Sequence, residues 1–168
     1  YDFWGIKHEI YFFADTKLQL TVHRADNWPR SFLFRQCALP WNAPSPNIPA
    51  PETALLYVAM CLFEGVNLNE GRGTPSPFQL VGAPWIDAAA VVAALDPDAL
   101  AGCKLAPVSY TPCSIPGKAS SPRYQDTECG GLFISVVDAS AVRAFSVAVE
   151  ILAAVTRRHP DRIEWLPN

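Results

Sequence analysis

Glu64 and Glu70 stand six residues apart in a loop that also holds Gly65, Asn67, Asn69, Gly71, Arg72 and Gly73. Hydrolysis of a glycosidic bond uses two carboxyl groups: one protonates the leaving oxygen, the other acts as base or nucleophile. Glu64 and Glu70 are therefore candidate catalytic carboxylates. They are equally explained as solvated loop charges or as partners for Arg72. The planar guanidinium of Arg72 suits a carboxylate or phosphate ligand; the alternative is an internal ion pair with Glu70 or Glu64. Asn47 and Asn67, in a proline-rich and a glycine-rich loop, are candidate binders of sugar hydroxyl or N-acetyl groups, or else caps on their own backbones. Trp41 and Trp85 offer rings for stacking on sugars, or core packing. The expected site lies on the loops around residues 42–50 and 64–78.

Other chemistries find less support. His8, His23 and His159 are scattered and sit beside no serine or cysteine motif, which argues against a nucleophilic triad. Gly71-x-Gly73 lacks the rest of a dinucleotide or phosphate-loop fingerprint. None of the five cysteines forms a C-x-x-C pair, so a structural zinc is not expected. Their odd number leaves at least one free or paired to another chain. No cofactor and no metal are expected. Lys plus Arg number 13 against 16 Asp plus Glu, a formal net charge of −3. That balance offers no polycationic surface for nucleic acid or anionic lipid. The longest apolar run, Ala88 to Leu95, falls far short of the ~20 residues that span a bilayer.

The elements that must position these residues are only partly regular. A length of 168 residues fits one average domain or two small pieces. Half of the residues are hydrophobic and 17% are charged, a composition for a packed core rather than a disordered chain. Sixteen prolines are roughly twice the usual share and call for long ordered loops. Lys17 to His23 alternates apolar and polar residues and predicts a half-buried strand; residues 1–16 are open between helix and strand. Residues 24–51 read as an ordered loop. Pro51 begins a short helix to Tyr57, and the apolar run Val58 to Phe63 predicts a buried strand. Asp87 caps a helix to about Leu95. Leu105 to Thr111 and Gly131 to Asp138 predict strands, separated by a third polar loop over 112–128. Ser140 caps a helix with apolar positions Val142, Phe145, Val149, Leu152 and Val155, closed by Arg157, Arg158, His159 and Pro160. This order predicts a mixed α/β architecture. Tyr1-Asp2-Phe3-Trp4 has neither a basic n-region nor a start methionine and reads as a cut end or the middle of a longer product.

Several consecutive stretches carry a family resemblance. They are Pro44-Ser45-Pro46-Asn47-Ile48-Pro49 with Glu52 to Tyr57, then Cys61-Leu62-Phe63-Glu64-Gly65 and Asn67-Leu68. Glu70-Gly71-Arg72-Gly73-Thr74 and Gly82-Ala83-Pro84-Trp85-Ile86 follow. From about Lys17 onward the sequence resembles the NamZ family, the exo-β-N-acetylmuramidases of bacterial peptidoglycan turnover. The resemblance implies a glycoside hydrolase with a Rossmann-like first domain, a smaller α/β second domain and a cleft between them. Residues 1–84 would be the end of the first domain and residues 85–168 the start of the second. It implies release of N-acetylmuramic acid from the non-reducing end of a muropeptide or other peptidoglycan-derived saccharide, in the bacterial envelope, the periplasm or outside the cell. Arg72 would meet the lactyl carboxylate, with Glu64 or Glu70 as the second carboxylate and Asn47 and Asn67 holding N-acetyl or hydroxyl groups. The family's proposed catalytic glutamate sits in a Glu-His-Gly segment that this sequence does not contain. A second domain or chain would supply it; the alternative is a non-catalytic sugar-binding or structural domain.

Overall fold

Helix α1, Pro51–Met60, opens on a proline at its first turn, with Glu52 near the positive end of the dipole. Arg35 forms an ion pair with that Glu52. The helix buries Thr53, Leu56, Ala59 and Met60 and runs straight into a 3-10 turn, Cys61–Gly65, that buries Phe63. Buried residues at 56, 59, 60 and 63 follow a helical period. The strand expected over Val58 to Phe63 is therefore replaced by helix. An apolar run does not by itself distinguish the two, and Val58, 68% exposed, is apolar on the outside of the helix.

The computed structural model describes residues 21–24 and 26–167. The chain divides into two units, Tyr1–Phe32 and Leu33–Asn168. In the first, Thr21–Arg24 carry no regular structure, and the Phe32 N–H closes a turn onto the Pro29 carbonyl at 2.9 Å. The expected strand over Lys17 to His23 lies mostly outside the described residues. All helices and strands described belong to the second unit.

Its sheet has three strands: β1 Leu80–Ala83, β2 Cys103–Tyr110 and β3 Cys129–Val136, in the order β1-β3-β2. Both pairings are antiparallel, with Leu80 opposite Phe133 and Ala83 opposite Gly130 on one side of β3, and Cys103 opposite Val136 and Tyr110 opposite Cys129 on the other. β1 was not expected; it is buried at all four positions, so it lacks the alternation that marks a half-buried strand.

Helix α2, Ala88–Ala93, is capped as expected, Asp87 Oδ1 accepting from the Ala90 N–H at 3.0 Å. Helix α3, Ala144–Arg158, begins later than expected. Ser140 does not cap it; its N–H and hydroxyl both donate to Asp138 Oδ1, at 3.0 and 2.6 Å. The buried face of α3 is Ala144, Val147, Ala148, Ile151, Ala154 and Val155. Phe145 and Val149, expected on that face, are exposed. The alanines let α3 lie against α1, which leaves bulky Phe145 outside. Leu56, Met60 and Phe63 meet Leu68, Phe78, Val81, Val91, Leu132, Ile134, Val147 and Ile151 in one core. Residues on both sides of Pro84 share it. The fold is a small mixed α/β unit of helices on a three-stranded antiparallel sheet, and no parallel strand pair occurs among the described residues.

Candidate functional site

The polar loop after α1 is built as a tight turn against β1. Asn69 pairs with Gly82 in both directions, N–H to carbonyl at 2.8 and 3.0 Å. The backbone then turns through Gly71 (φ +84°) and Gly73 (φ +82°). A Cβ at Gly71 would sit 2.7 Å from the Ser76 carbonyl oxygen, and one at Gly73 would sit 2.7 Å from that of Cys113. Glycine is thus required on steric and conformational grounds. The Thr74 hydroxyl donates to the Gly71 carbonyl at 2.6 Å and staples the turn.

This turn brings together three of the sequence-expected residues. Arg72 Nε lies 2.7 Å from Glu70 Oε1, and Arg72 Nη2 lies 2.7 Å from Glu64 Oε1. The internal ion pair and the two-carboxylate cluster, posed as alternatives by the sequence, are the same arrangement. Its members differ in solvent access: the side chain of Glu70 is 8% exposed, those of Arg72 and Glu64 36% and 44%. Arg72 Cζ lies 5.4 Å from the centre of the Phe78 ring, a cation–π contact. Phe78 meets Tyr57 edge-on at 4.9 Å and donates its N–H to the Glu70 carbonyl at 2.7 Å. It does so at φ +60°, a left-handed conformation that is unfavourable for a bulky residue.

Burial dominates the electrostatics of Glu70. It raises the carboxyl pKa, and the compensating hydrogen bond and the Arg72 charge do not cancel it. For Arg72, burial works against the charge, but the bonds to Glu64 and Glu70 outweigh it and its pKa rises. The cluster therefore holds a fixed cation, an exposed carboxylate and a buried carboxyl biased toward its protonated form.

The two expected asparagines are engaged elsewhere. Asn67 Nδ2 donates to the Arg162 carbonyl at 2.8 Å, and its Oδ1 accepts from the Glu164 N–H at 2.9 Å. Together with the Val66–Trp165 bridge, the Asn67 N–H to Glu164 carbonyl (3.0 Å) and the Leu166 N–H to Gly65 carbonyl (2.9 Å), this holds residues 162–166 against the loop. Asn47 is buried and donates Nδ2 to the Lys118 carbonyl at 2.9 Å. Trp41 Nε1 donates to the Ile48 carbonyl at 3.2 Å, and Trp85 packs edge-on against His159 at 5.4 Å.

Sequence reasoning missed Asn69, which is fully buried. Its Nδ2 donates to the carbonyls of Arg72 (3.1 Å) and Arg123 (3.0 Å), and its Oδ1 accepts from the Gly71 N–H (2.8 Å) and the Tyr110 hydroxyl (3.1 Å). The only signal in the sequence was its place one residue before Glu70. All five cysteines are free. Among the described residues no group of three or more His, Cys, Asp or Glu side chains could hold a metal.

Comparison with known proteins follows the same loops. Residues 55–168 match the family model described as exo-beta-N-acetylmuramidase NamZ, C-terminal. The chain is 33% identical over 147 residues to the peptidoglycan beta-N-acetylmuramidase NamZ of Bacillus subtilis (strain 168), covering 88% of this chain and 34% of that protein. It shares its fold with a DUF1343 family protein of Bacteroides fragilis in a crystal structure, at a TM-score of 0.70 and 24% identity, over 80% of this chain and 34% of that one. The chain thus spans about a third of the length of the relatives it matches. Since the matched segment takes in the Glu64–Arg72 turn, the whole sheet and α3, the chain belongs to the exo-beta-N-acetylmuramidase NamZ family, within its C-terminal region.

Proposed function

We propose that this chain is the site-bearing C-terminal part of an exo-acting glycoside hydrolase that releases N-acetylmuramic acid from peptidoglycan fragments. The observation that carries the reading is the Glu64–Arg72–Glu70 cluster, within a segment related to a peptidoglycan beta-N-acetylmuramidase. Glu70 is proposed as a proton donor to the leaving oxygen. Its burial raises its pKa, the direction that favours a proton donor. Glu64, exposed and paired with the same guanidinium, is proposed as the second carboxylate.

Arg72 is proposed to meet the lactyl carboxylate of the muramic acid. Nε and one N–H of Nη2 already face glutamates, which leaves both N–H groups of Nη1 and the second of Nη2 for that ligand. Asn47, whose Nδ2 is engaged, is proposed to offer Oδ1 to the N-acetyl N–H. Asn67 is proposed to act on the sugar through its remaining N–H. The Rossmann-like first domain is proposed to precede this unit.

The test is release of chromophore from a chromogenic N-acetylmuramoside by the intact protein. We expect Glu70→Gln to lower kcat by about 10²–10⁴-fold and Arg72→Ala to act mainly on KM. Full activity in Glu70→Gln removes that role. Binding of muramic acid without turnover would favour a sugar-binding module, and neither binding nor turnover overturns the reading.

A further inference from the structure

We propose that Asn69 is the positioning residue of the carboxylate–guanidinium cluster: seated on the Tyr110 hydroxyl, its amide locks the Gly71 turn that sets Glu70 against Arg72 and ties that turn to the backbone at Arg123. The role deepens the proposed site and rests on that cluster being the working one.

The amide lies between the two functional residues. Oδ1 takes the Gly71 N–H, just after Glu70, and Nδ2 gives one hydrogen to the Arg72 carbonyl, just before Gly73. The other two valences reach far in sequence, to the Arg123 carbonyl and the Tyr110 hydroxyl. An amide offers two donors and two acceptor lone pairs, and all four face partners, the Tyr110 hydroxyl sharing its one hydrogen between Oδ1 (3.1 Å) and the Asn69 carbonyl (3.2 Å). A turn-forming asparagine needs only its near partners. The far ones connect the Glu70 turn to the 112–128 loop at Arg123 and to the end of β2 at Tyr110, and Arg123 returns the link by donating Nη1 to the Val66 carbonyl.

The sheet is shaped to deliver that phenol. Gly82 and Gly131 face each other across β1 and β3. Cβ atoms there would lie 3.0 and 2.7 Å from Tyr110 Cε1. The absence of side chains at both positions lets the Tyr110 ring lie over the strands and reach Asn69 with its hydroxyl. Phe78 completes the frame, held at a positive φ with its N–H on the Glu70 carbonyl and its ring beside Arg72.

The test reads the Glu70 carboxyl directly, by ¹³C NMR titration of the intact chain carrying labelled glutamate side chains, the resonance assigned by its loss in Glu70→Gln. Asn69→Ser opens the turn to water. Because burial outweighs the Arg72 charge at Glu70, hydration lowers its midpoint toward the ordinary carboxylate value. Tyr110→Phe shifts it the same way by less. Thr74→Val removes the other staple of the turn and is expected to lower stability without moving Glu70.

If Asn69→Ser does not fold, Tyr110→Phe decides alone. An unmoved Glu70 in folded variants, or an equal shift in Thr74→Val, overturns the proposal. The titration needs no turnover, so an inactive protein would count against the hydrolase reading and leave this role standing on its own result.

Discussion

Among the described residues Glu70 is the charged side chain that is buried, and its environment makes the folded state sensitive to pH. Its folded pKa lies above the ordinary carboxylate value. Between those two values the folded state binds more protons than the unfolded one, so stability falls as pH rises through that window and levels off above it. Thermal melts across the window should show Glu70→Gln with a shallower decline than the parent. Asp138 acts in the opposite sense. The Ser140 hydroxyl and N–H hold its pKa below the ordinary value, so its contribution is present above that value and fades as pH falls through the lowered one. Arg72→Met leaves Glu70 without its cation. With Arg72 36% exposed, solvent screening moderates the loss to about 1–2 kcal/mol in urea denaturation.

At the scale of elements, the glycine pair under Tyr110 fixes how closely β1, β3 and the phenol ring approach. Gly131→Ala places a Cβ 2.6 Å from the Val81 carbonyl oxygen and 2.7 Å from Tyr110 Cε1. The expected cost is ~1–3 kcal/mol by overpacking, measured by the same denaturation. Phe63→Ala, in the 3-10 turn, should cost ~3–5 kcal/mol because the side chain is fully buried. Some elements were legible because local chemistry suffices. Asp87 carries its own cap, and the strand of 129–136 shows in its Leu132-Phe133-Ile134 run. β1 was not legible because four residues buried on both faces have no alternation. α1 was read too short because its outer face is apolar as well. The α3 stripe was read a step off because Ala144, Ala148 and Ala154, weak in any hydrophobic pattern, form the interface. At the site, Glu64, Glu70 and Arg72 stood out by type and spacing. Asn69 did not, since its two decisive partners lie 41 and 54 residues away.

For the whole molecule, the absence of any cross-link among the five thiols has a direct consequence. A reducing agent should leave the melting temperature unchanged, and a drop would reveal a bond to another chain. Burial pushes the Cys129 thiol up to about 11 and raises that of Cys103, which disfavours the reactive thiolate. Cys113 is the exposed one, and native-state alkylation followed by mass spectrometry should find it modified first.

The segment of Trp165 is joined to the loop beside Glu64 by a short ladder, the Asn67 and Leu166 N–H groups each closing one rung. A pull along the backbone from that end would load these rungs in front of the three-stranded core. Mechanical tension would then unzip them first and free the ground on which Glu64 stands while the sheet still held. In an optical trap such a molecule would yield in two steps, the smaller one felt directly at the acidic loop.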